Sequence, residues 1–308
     1  MIFEGSEKII EIGLTEPSSS LRQQPASFWQ ELVASAGAEI ISHIQNDDCD
    51  AYLLSESSLF VWDKRIRMLT CGETQLCDAL VFFIEHFGSH SIAYSTYQRK
   101  NEYLQQPEIR SFQQDLEFIK TSICGKGYRV GHLDSHHHYL FVSANQDTSI
   151  KPLSTTELLM YHLAEPKAVF YRSKGQTSAA IRAQLALDKL FQGFIFDDHL
   201  FTPFGYSLNG IKGDKYFTIH ITPQAQSSYC SFETNIAAEE LPAKVLEQFL
   251  KNMAPERWDL IAFDRPLVQV EPCRESCINT CSIRTEGDYD VHFKHVHQPH
   301  KLPFAEVI

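Results

Sequence analysis

Apolar positions along the chain switch between helical and strand periods. Phe28, Leu32, Val33, Ala36, Ile40 and Ile44 recur at helical spacing, which predicts one amphipathic helix closed by Asp47 and Asp48. Tyr52–Leu54 and Leu59–Trp62 read as short strands flanking the polar tetrad Ser55-Glu56-Ser57-Ser58, with a third strand over Ile66–Thr70. Leu76, Leu80, Phe83 and Ile84 mark a second helix ending near Gly88. The same grammar then repeats. Strand signals lie at Tyr128–Leu133, Tyr139–Val142, Ala168–Tyr171 and Phe194–Phe196, and helical patterns at Thr155–Leu163 and Ser178–Leu190. Phe217, Ile219 and Ile221 alternate against Tyr216, Thr218 and His220 as a half-buried strand, followed by a strand over Tyr229–Thr234. A helix over Glu239–Met253 precedes strands at Leu260–Phe263 and Tyr289–Val296. Strand runs joined by short turns and interspersed with helices predict an α+β fold of antiparallel sheets covered by helices.

Composition narrows the partners. The chain has 308 residues, 43% hydrophobic and 21% charged, with a net charge of -12. That balance supports a substantial core and excludes nucleic acid or an anionic membrane as partner, since phosphate binding needs clustered Lys and Arg. Length alone allows one large domain or two of average size; no low-complexity tract or long linker divides the chain, and one domain over 1–308 is the expectation. The start, MIFEGSEKII, reaches Glu4 before an apolar run forms, and no stretch approaches the length of a membrane span. Eight cysteines without a secretory signal read as reduced thiols. A cytoplasmic protein is expected.

Tyr52-Leu-Leu-Ser-Glu-Ser-Ser-Leu-Phe-Val61 carries the first chemical candidate. Its tetrad lacks the Gly, Pro or Asn that hairpin turns favour, so it is odd as a plain turn. The Ser57 hydroxyl is placed to attack the Glu56 carbonyl, converting the amide to an ester. Loss of the Ser57 α proton would then expel the Glu56 carboxylate, and the dehydroalanine left behind would hydrolyse to a pyruvoyl group and ammonia. Taken alone, a Glu-Ser-Ser run is far more often a plain turn.

Five segments together change that balance. Phe3-Glu-Gly-Ser-Glu-Lys8, Tyr52–Val61, Thr70-Cys-Gly72, Tyr97-Gln-Arg-Lys-Asn101 and Phe201–Asn235 occur in one order. The last holds Gly205-Tyr-Ser-Leu-Asn-Gly210, Thr218-Ile-His-Ile-Thr-Pro223 and Ser231-Phe-Glu-Thr-Asn235. In these segments the sequence resembles the eukaryotic-type S-adenosylmethionine decarboxylases. The resemblance implies a four-layer α/β/β/α sandwich of two antiparallel sheets with helices outside. It also implies a proenzyme that cleaves itself between Glu56 and Ser57 into a β chain of residues 1–56 and an α chain of residues 57–308.

The resemblance also implies roles for single residues. Ser57 would become the pyruvoyl group and carry the substrate as a Schiff base, and Cys71 would be the proton donor. His220 would remove the Ser57 α proton, and Ser207 would stabilise the processing intermediate. A thiol suits Cys71's task because a nearby base can draw its pKa toward neutrality. Phe3 and Phe201 would sandwich the adenine of S-adenosylmethionine. Glu4, Glu7 and Glu56 match acidic positions of the site. Taken singly, the bland readings are a strand histidine, a turn serine, a buried cysteine and two core phenylalanines. No metal or pyridoxal cofactor is implied, and a homodimer is left open.

Two departures stand out. Gln224 replaces the family glutamate that binds the ribose hydroxyls, which loses charge-assisted strength and keeps a pyruvoyl decarboxylase of ornithine or arginine as a rival. Glu11 and Glu233 match two acids of the putrescine site of mammalian members, but Leu69 stands at its lysine and the aspartate falls near Ala144. Putrescine activation is therefore not expected. A second rival is an inactive paralogue that activates a catalytic partner, which intact Ser57, Cys71, Ser207 and His220 argue against. Cys273, Cys277 and Cys281 are four apart, as on one helical face, and His292, His295, His297 and His300 follow. The spacing is not a CxxC arrangement, and Tyr289–Val296 reads as a terminal strand, so no metal is expected there. His136-His137-His138 reads as a solvated strand start.

Overall fold

A computed structural model describes residues 7–16, 19–100, 110–133, 136–143, 150–225, 227–242, 244–270, 276–285 and 288–297. The first half supplies β1 (Lys8–Leu14), β2 (Ile40–Gln45), β3 (Asp50–Leu54), β4 (Ser57–Val61), β5 (Arg65–Thr70), β6 (Ile92–Lys100), β7 (Gly125–Gly131) and β8 (His137–Ser143). They pair as one sheet in the order β2-β3-β4-β5-β1-β6-β8-β7. The second half supplies β9 (Thr155–Leu163), β10 (Ile195–Leu200), β11 (Tyr206–Lys212), β12 (Lys215–Thr222), β13 (Tyr229–Thr234), β14 (Pro255–Phe263), β15 (Ser276–Arg284) and β16 (Asp290–His297). Their order, β10-β11-β12-β13-β9-β14-β16-β15, is that of the first sheet moved on by eight. The repeated grammar of the sequence is thus a repeated topology.

Helices cover the outer faces. Against the first sheet lie α1 (Ala26–Ser35), α2 (Leu76–Phe87) and α3 (Phe112–Ile119). Phe28, Trp29, Leu80 and Phe83 share a core there with Ile10, Leu59 and Met68. Against the second lie α4 (Glu165–Tyr171), α5 (Ser178–Leu185), α6 (Leu187–Leu190) and α7 (Val245–Met253). Leu185, Leu246 and Phe249 meet Leu208, Ile219 and Phe232. The inner faces meet through smaller apolar patches and a polar middle, where Ser58 reaches Asn209 and Arg67 reaches Glu233. The arrangement is the four-layer α/β/β/α sandwich, and its polar middle is where the chemistry collects. Among the described residues no helix is long and apolar enough to cross a membrane.

Several sequence expectations are overturned. The helix expected over Phe28–Ile44 stops at Ser35; Gly37 takes a φ of 83°, and Ile40–Gln45 is an edge strand with alternating exposure. Thr155–Leu163, expected as a helix, is the central strand β9. Both its faces are covered, so the alternation that marks a strand is absent. Ala168–Tyr171, expected as a strand, ends helix α4, which opens at Glu165-Pro166. The His136–His138 run is buried rather than solvated, at 4%, 6% and 3% exposure. Cys277 and Cys281 lie on edge strand β15, not a helix, and Cys273 lies outside the described residues.

Candidate active site

The tetrad makes a two-residue hairpin: Leu54 pairs with Ser57, and Ser57 pairs in turn with Thr70 at the end of β5. With no glycine to relieve it, the tight link leaves Ser57 at a φ of 155°, a region side-chain-bearing residues avoid at a cost of about 1–3 kcal/mol. The Glu56 carbonyl accepts two bonds from Cys71, from the backbone N–H at 3.1 Å and from Sγ at 3.3 Å. One carbonyl therefore sits in a strained turn with two donors on its oxygen.

The opposite sheet supplies the base. Ser207 on β11 and His220 on β12 are a direct cross-strand pair, so both point to the inner face. His220 Nε2 lies 2.9 Å from Ser57 Oγ, and Nδ1 lies 2.8 Å from Ser207 Oγ. Burial lowers the His220 pKa to about 3, so the ring is neutral near pH 7. Ser57, Cys71, Ser207 and His220, four residues from distant parts of the chain, are brought together.

Acidic groups set the local electrostatics. Tyr229 Oη donates to Glu7 Oε2 at 2.9 Å, yet burial, and then the charge of Glu233, push the Glu7 carboxyl up to about 7. Glu56 is raised by burial and by Glu73, against the pull of Lys8. Lys8 is itself buried and donates to Gly72 O at 2.8 Å, pinning the Thr70-Cys71-Gly72 turn. Cys71 departs from expectation: burial, then Glu56 and Glu7, push its thiol pKa up rather than toward neutrality. It is kept as S–H, the form a proton donor needs.

Glu56, Cys71, Phe201, Phe204, Ser207, His220 and Thr222 line a cleft of about 130 Å³. Small-molecule pockets begin near 300 Å³, and here Ser55 and Glu56 of the uncut turn are part of the lining. A larger hollow, about 780 Å³ beside Lys189, Phe194 and Lys212, holds none of these groups. Gln224 is half-buried just beyond Thr222 and accepts from Ser227 Oγ at 3.4 Å. Phe3 and Glu4 lie outside the described residues, as does Ala144.

Beside the cleft, deeper between the sheets, Arg67 is wholly buried among three carboxylates. Its Nε donates to Glu233 at 2.8 Å, Nη1 to Glu11 at 2.8 Å, and Nη2 to Glu157 and Glu233 at 2.9 Å each. Tyr94 and Tyr216 hydroxyls complete Glu11 and Glu233. Burial and then Glu233 raise the Glu157 carboxyl well above its ordinary range. A third cluster joins His136 and His295 through their Nδ1 atoms to Asp259, at 3.2 Å and 2.6 Å, with Tyr161 Oη at 3.1 Å. The two rings stack 4.1 Å apart and the nitrogens already bond the carboxylate, so the cluster is satisfied as a hydrogen-bonded clamp.

Sequence reasoning missed Arg67, Glu157, Phe204 and Lys8. A single arginine inside the apolar run Ile66-Arg67-Met68-Leu69 was the available signal for the first. The others carry none without the fold.

Comparison with known proteins bears on all of this. A family model described as adenosylmethionine decarboxylase matches residues 1–301. The S-adenosylmethionine decarboxylase proenzyme of Xenopus laevis is 35% identical over 269 residues, 80% of each chain. That of Drosophila melanogaster is 32% identical over 287 residues, covering 85% of this chain and 82% of its own. A crystal structure of the Trypanosoma brucei AdoMetDC-delta26 monomer superposes with a TM-score of 0.60 at 22% identity, covering 78% of this chain and 98% of that one. At that identity the likeness speaks for the fold alone.

Proposed function

The chain belongs to the adenosylmethionine decarboxylase family, and on that premise we propose that it cleaves itself between Glu56 and Ser57 and then decarboxylates S-adenosylmethionine. The observation that carries this is the Ser57 Oγ–His220 Nε2 contact of 2.9 Å beside a Glu56 carbonyl held by Cys71. His220, neutral at pH 7, takes the hydroxyl proton while the Cys71 N–H and S–H meet the charge growing on the Glu56 oxygen. Ser207 steadies the ring through Nδ1. His220 next takes the Ser57 α proton, and Glu56 departs as the new β-chain terminus.

Residue 57 fits the pyruvoyl group: it is buried and strained, its Oγ lies 2.9 Å from the base, and Cys71 bonds the adjoining Glu56 carbonyl. The ketone supplies the electron sink for loss of carbon dioxide. Cys71, kept as a thiol, then donates a proton to the substrate carbon. The α-carboxylate that cleavage creates at Glu56, together with the partly ionised Glu7, offers negative charge to the sulfonium substrate. Phe201, with Phe3, stacks on its adenine, and Gln224 bonds its ribose. Cleavage frees the Ser55-Glu56 turn that lines the cleft.

The product is the aminopropyl donor for spermidine synthesis. The chain acts as one domain in the cytoplasm, and a homodimer is compatible with this role. Putrescine does little here, because Arg67 already places a cation among Glu11, Glu157 and Glu233. Gln224 favours one second reading, a decarboxylase of ornithine or arginine. Carbon dioxide release from carboxyl-labelled S-adenosylmethionine, ornithine and arginine separates them. Release from S-adenosylmethionine alone, absent in Ser57→Ala, is expected; release from ornithine or arginine instead overturns the substrate assignment.

A further inference from the structure

Behind the Ser57–His220 pair lies a second set of buried polar side chains, Ser58, Asn209 and Thr218. Asn209 Nδ2 donates to Tyr52 O at 3.1 Å, which fixes the amide so that Oδ1 faces the two hydroxyls. Ser58 Oγ donates to that oxygen at 2.6 Å and Thr218 Oγ1 approaches it at 3.0 Å. Leu208 O offers Thr218 a further acceptor at 3.1 Å. A hydroxyl has one proton and two lone pairs. With its proton drawn to Asn209 or Leu208, Thr218 turns a lone pair toward His220 Nε2, 2.9 Å away. Across the ring, Ser207 Oγ faces Nδ1 at 2.8 Å.

In the neutral ring Nε2 accepts from the Ser57 hydroxyl and Nδ1–H donates to Ser207, so that state is satisfied without Thr218. Once Nε2 has taken the proton it needs an acceptor, and Thr218, its own proton engaged elsewhere, offers one at 2.9 Å. This matters because burial lowers the proton affinity of His220, and no charged group among the described residues offsets it. Oriented neutral acceptors in a dry site can do so without a reorganisation step.

We propose that Thr218, oriented by Asn209, is a positioning residue for self-cleavage: it accepts the Nε2–H bond formed when His220 takes the proton of Ser57. The inference rests on the self-cleavage reading above. Ser57 Oγ bonds to the Glu56 carbonyl carbon while its proton passes to Nε2. As the C–N bond breaks, that proton returns to the Ser57 nitrogen, leaving an ester and an amine with nothing else consumed. Decarboxylation draws its proton from Cys71, so Thr218 has no part in turnover.

Two substitutions separate this role from packing. Thr218→Val keeps the volume and removes the hydroxyl; Thr218→Ser keeps the hydroxyl and removes the methyl. Disappearance of the precursor is followed by gel after synthesis in a reconstituted translation system. Thr218→Val should cleave about 10- to 100-fold more slowly, the worth of one charge-assisted hydrogen bond in the transition state. Thr218→Ser should stay within about threefold of wild type, and fully cleaved Thr218→Val should decarboxylate at the wild-type kcat. The reverse order, or a Thr218→Val chain cleaving at the wild-type rate, overturns the proposal. Should the Val precursor melt early, Thr218→Ala carries the test, since it removes the same hydroxyl without setting a second methyl against His220. Slow cleavage supports the inference and wild-type cleavage sinks it. A wild-type chain that stays whole overturns the self-cleavage reading and this inference with it.

Discussion

Replacing Arg67 by methionine tests the polar middle of the sandwich. The guanidinium makes four hydrogen bonds of 2.8–2.9 Å to Glu11, Glu157 and Glu233, all of them buried. Removing one partner of a buried ion pair typically costs about 3–5 kcal/mol, because the remaining charge is left dry and unpaired. The four bonds belong to one buried network, so about 4 kcal/mol is the working figure. At roughly 2 °C per kcal/mol for a chain of this size, the midpoint should fall by about 8 °C. Thermal unfolding of Ser57→Ala with and without Arg67→Met, both uncut, should show that deficit at pH 8. An unchanged midpoint refutes the reasoning.

Further outcomes follow from the same geometry. Cys71→Ser should lower kcat by about 100-fold or more through loss of the proton donor, while cleavage slows less because the backbone N–H at 3.1 Å remains; equal losses in both steps would count against separate roles. Glu7, raised by burial from 4.5 to about 7, makes the chain less stable as pH climbs through that window. Glu7→Gln should therefore gain about 3 kcal/mol at pH 8 and nothing at pH 4, measured by urea unfolding of the uncut chain; a gain equal at both pH values argues against it. Millimolar putrescine should leave both cleavage and decarboxylation rates unchanged within twofold, about the scatter of such assays, and clear stimulation would show that Arg67 does not fill the cation's role.

How much of this was legible in the sequence depends on the kind of signal. Ser57, Cys71, Ser207 and His220 sit in short motifs whose order survives without coordinates, and the structure gathers them around one carbonyl. Lys215–Thr222 announced itself by alternation, but it is buried on both faces rather than half-buried: Thr218 and His220 form its polar side because they face the polar middle of the sandwich, not water. Thr155–Leu163 did not, because this strand, also covered on both faces, has no regular polar side to alternate with. The His136–His138 run looked solvated because histidine is usually exposed, and only the fold brings Asp259 from a strand more than a hundred residues away to satisfy it. Arg67 was invisible for the same reason: its three carboxylate partners come from three other strands. The cleft gathers Ser55 and Glu56 from one sheet with Phe201, Ser207 and His220 from the other, which no residue pattern reveals.

Self-cleavage is the central claim, and intact-mass spectrometry of the purified protein tests it most directly, with Ser57→Ala alongside. Two chains are predicted, residues 1–56 and residues 57–308, the larger blocked at its first residue by a pyruvoyl group, while Ser57→Ala stays at 35.2 kDa. A wild-type protein that remains a single chain of that mass would contradict it and bring the partner-activating paralogue to the front.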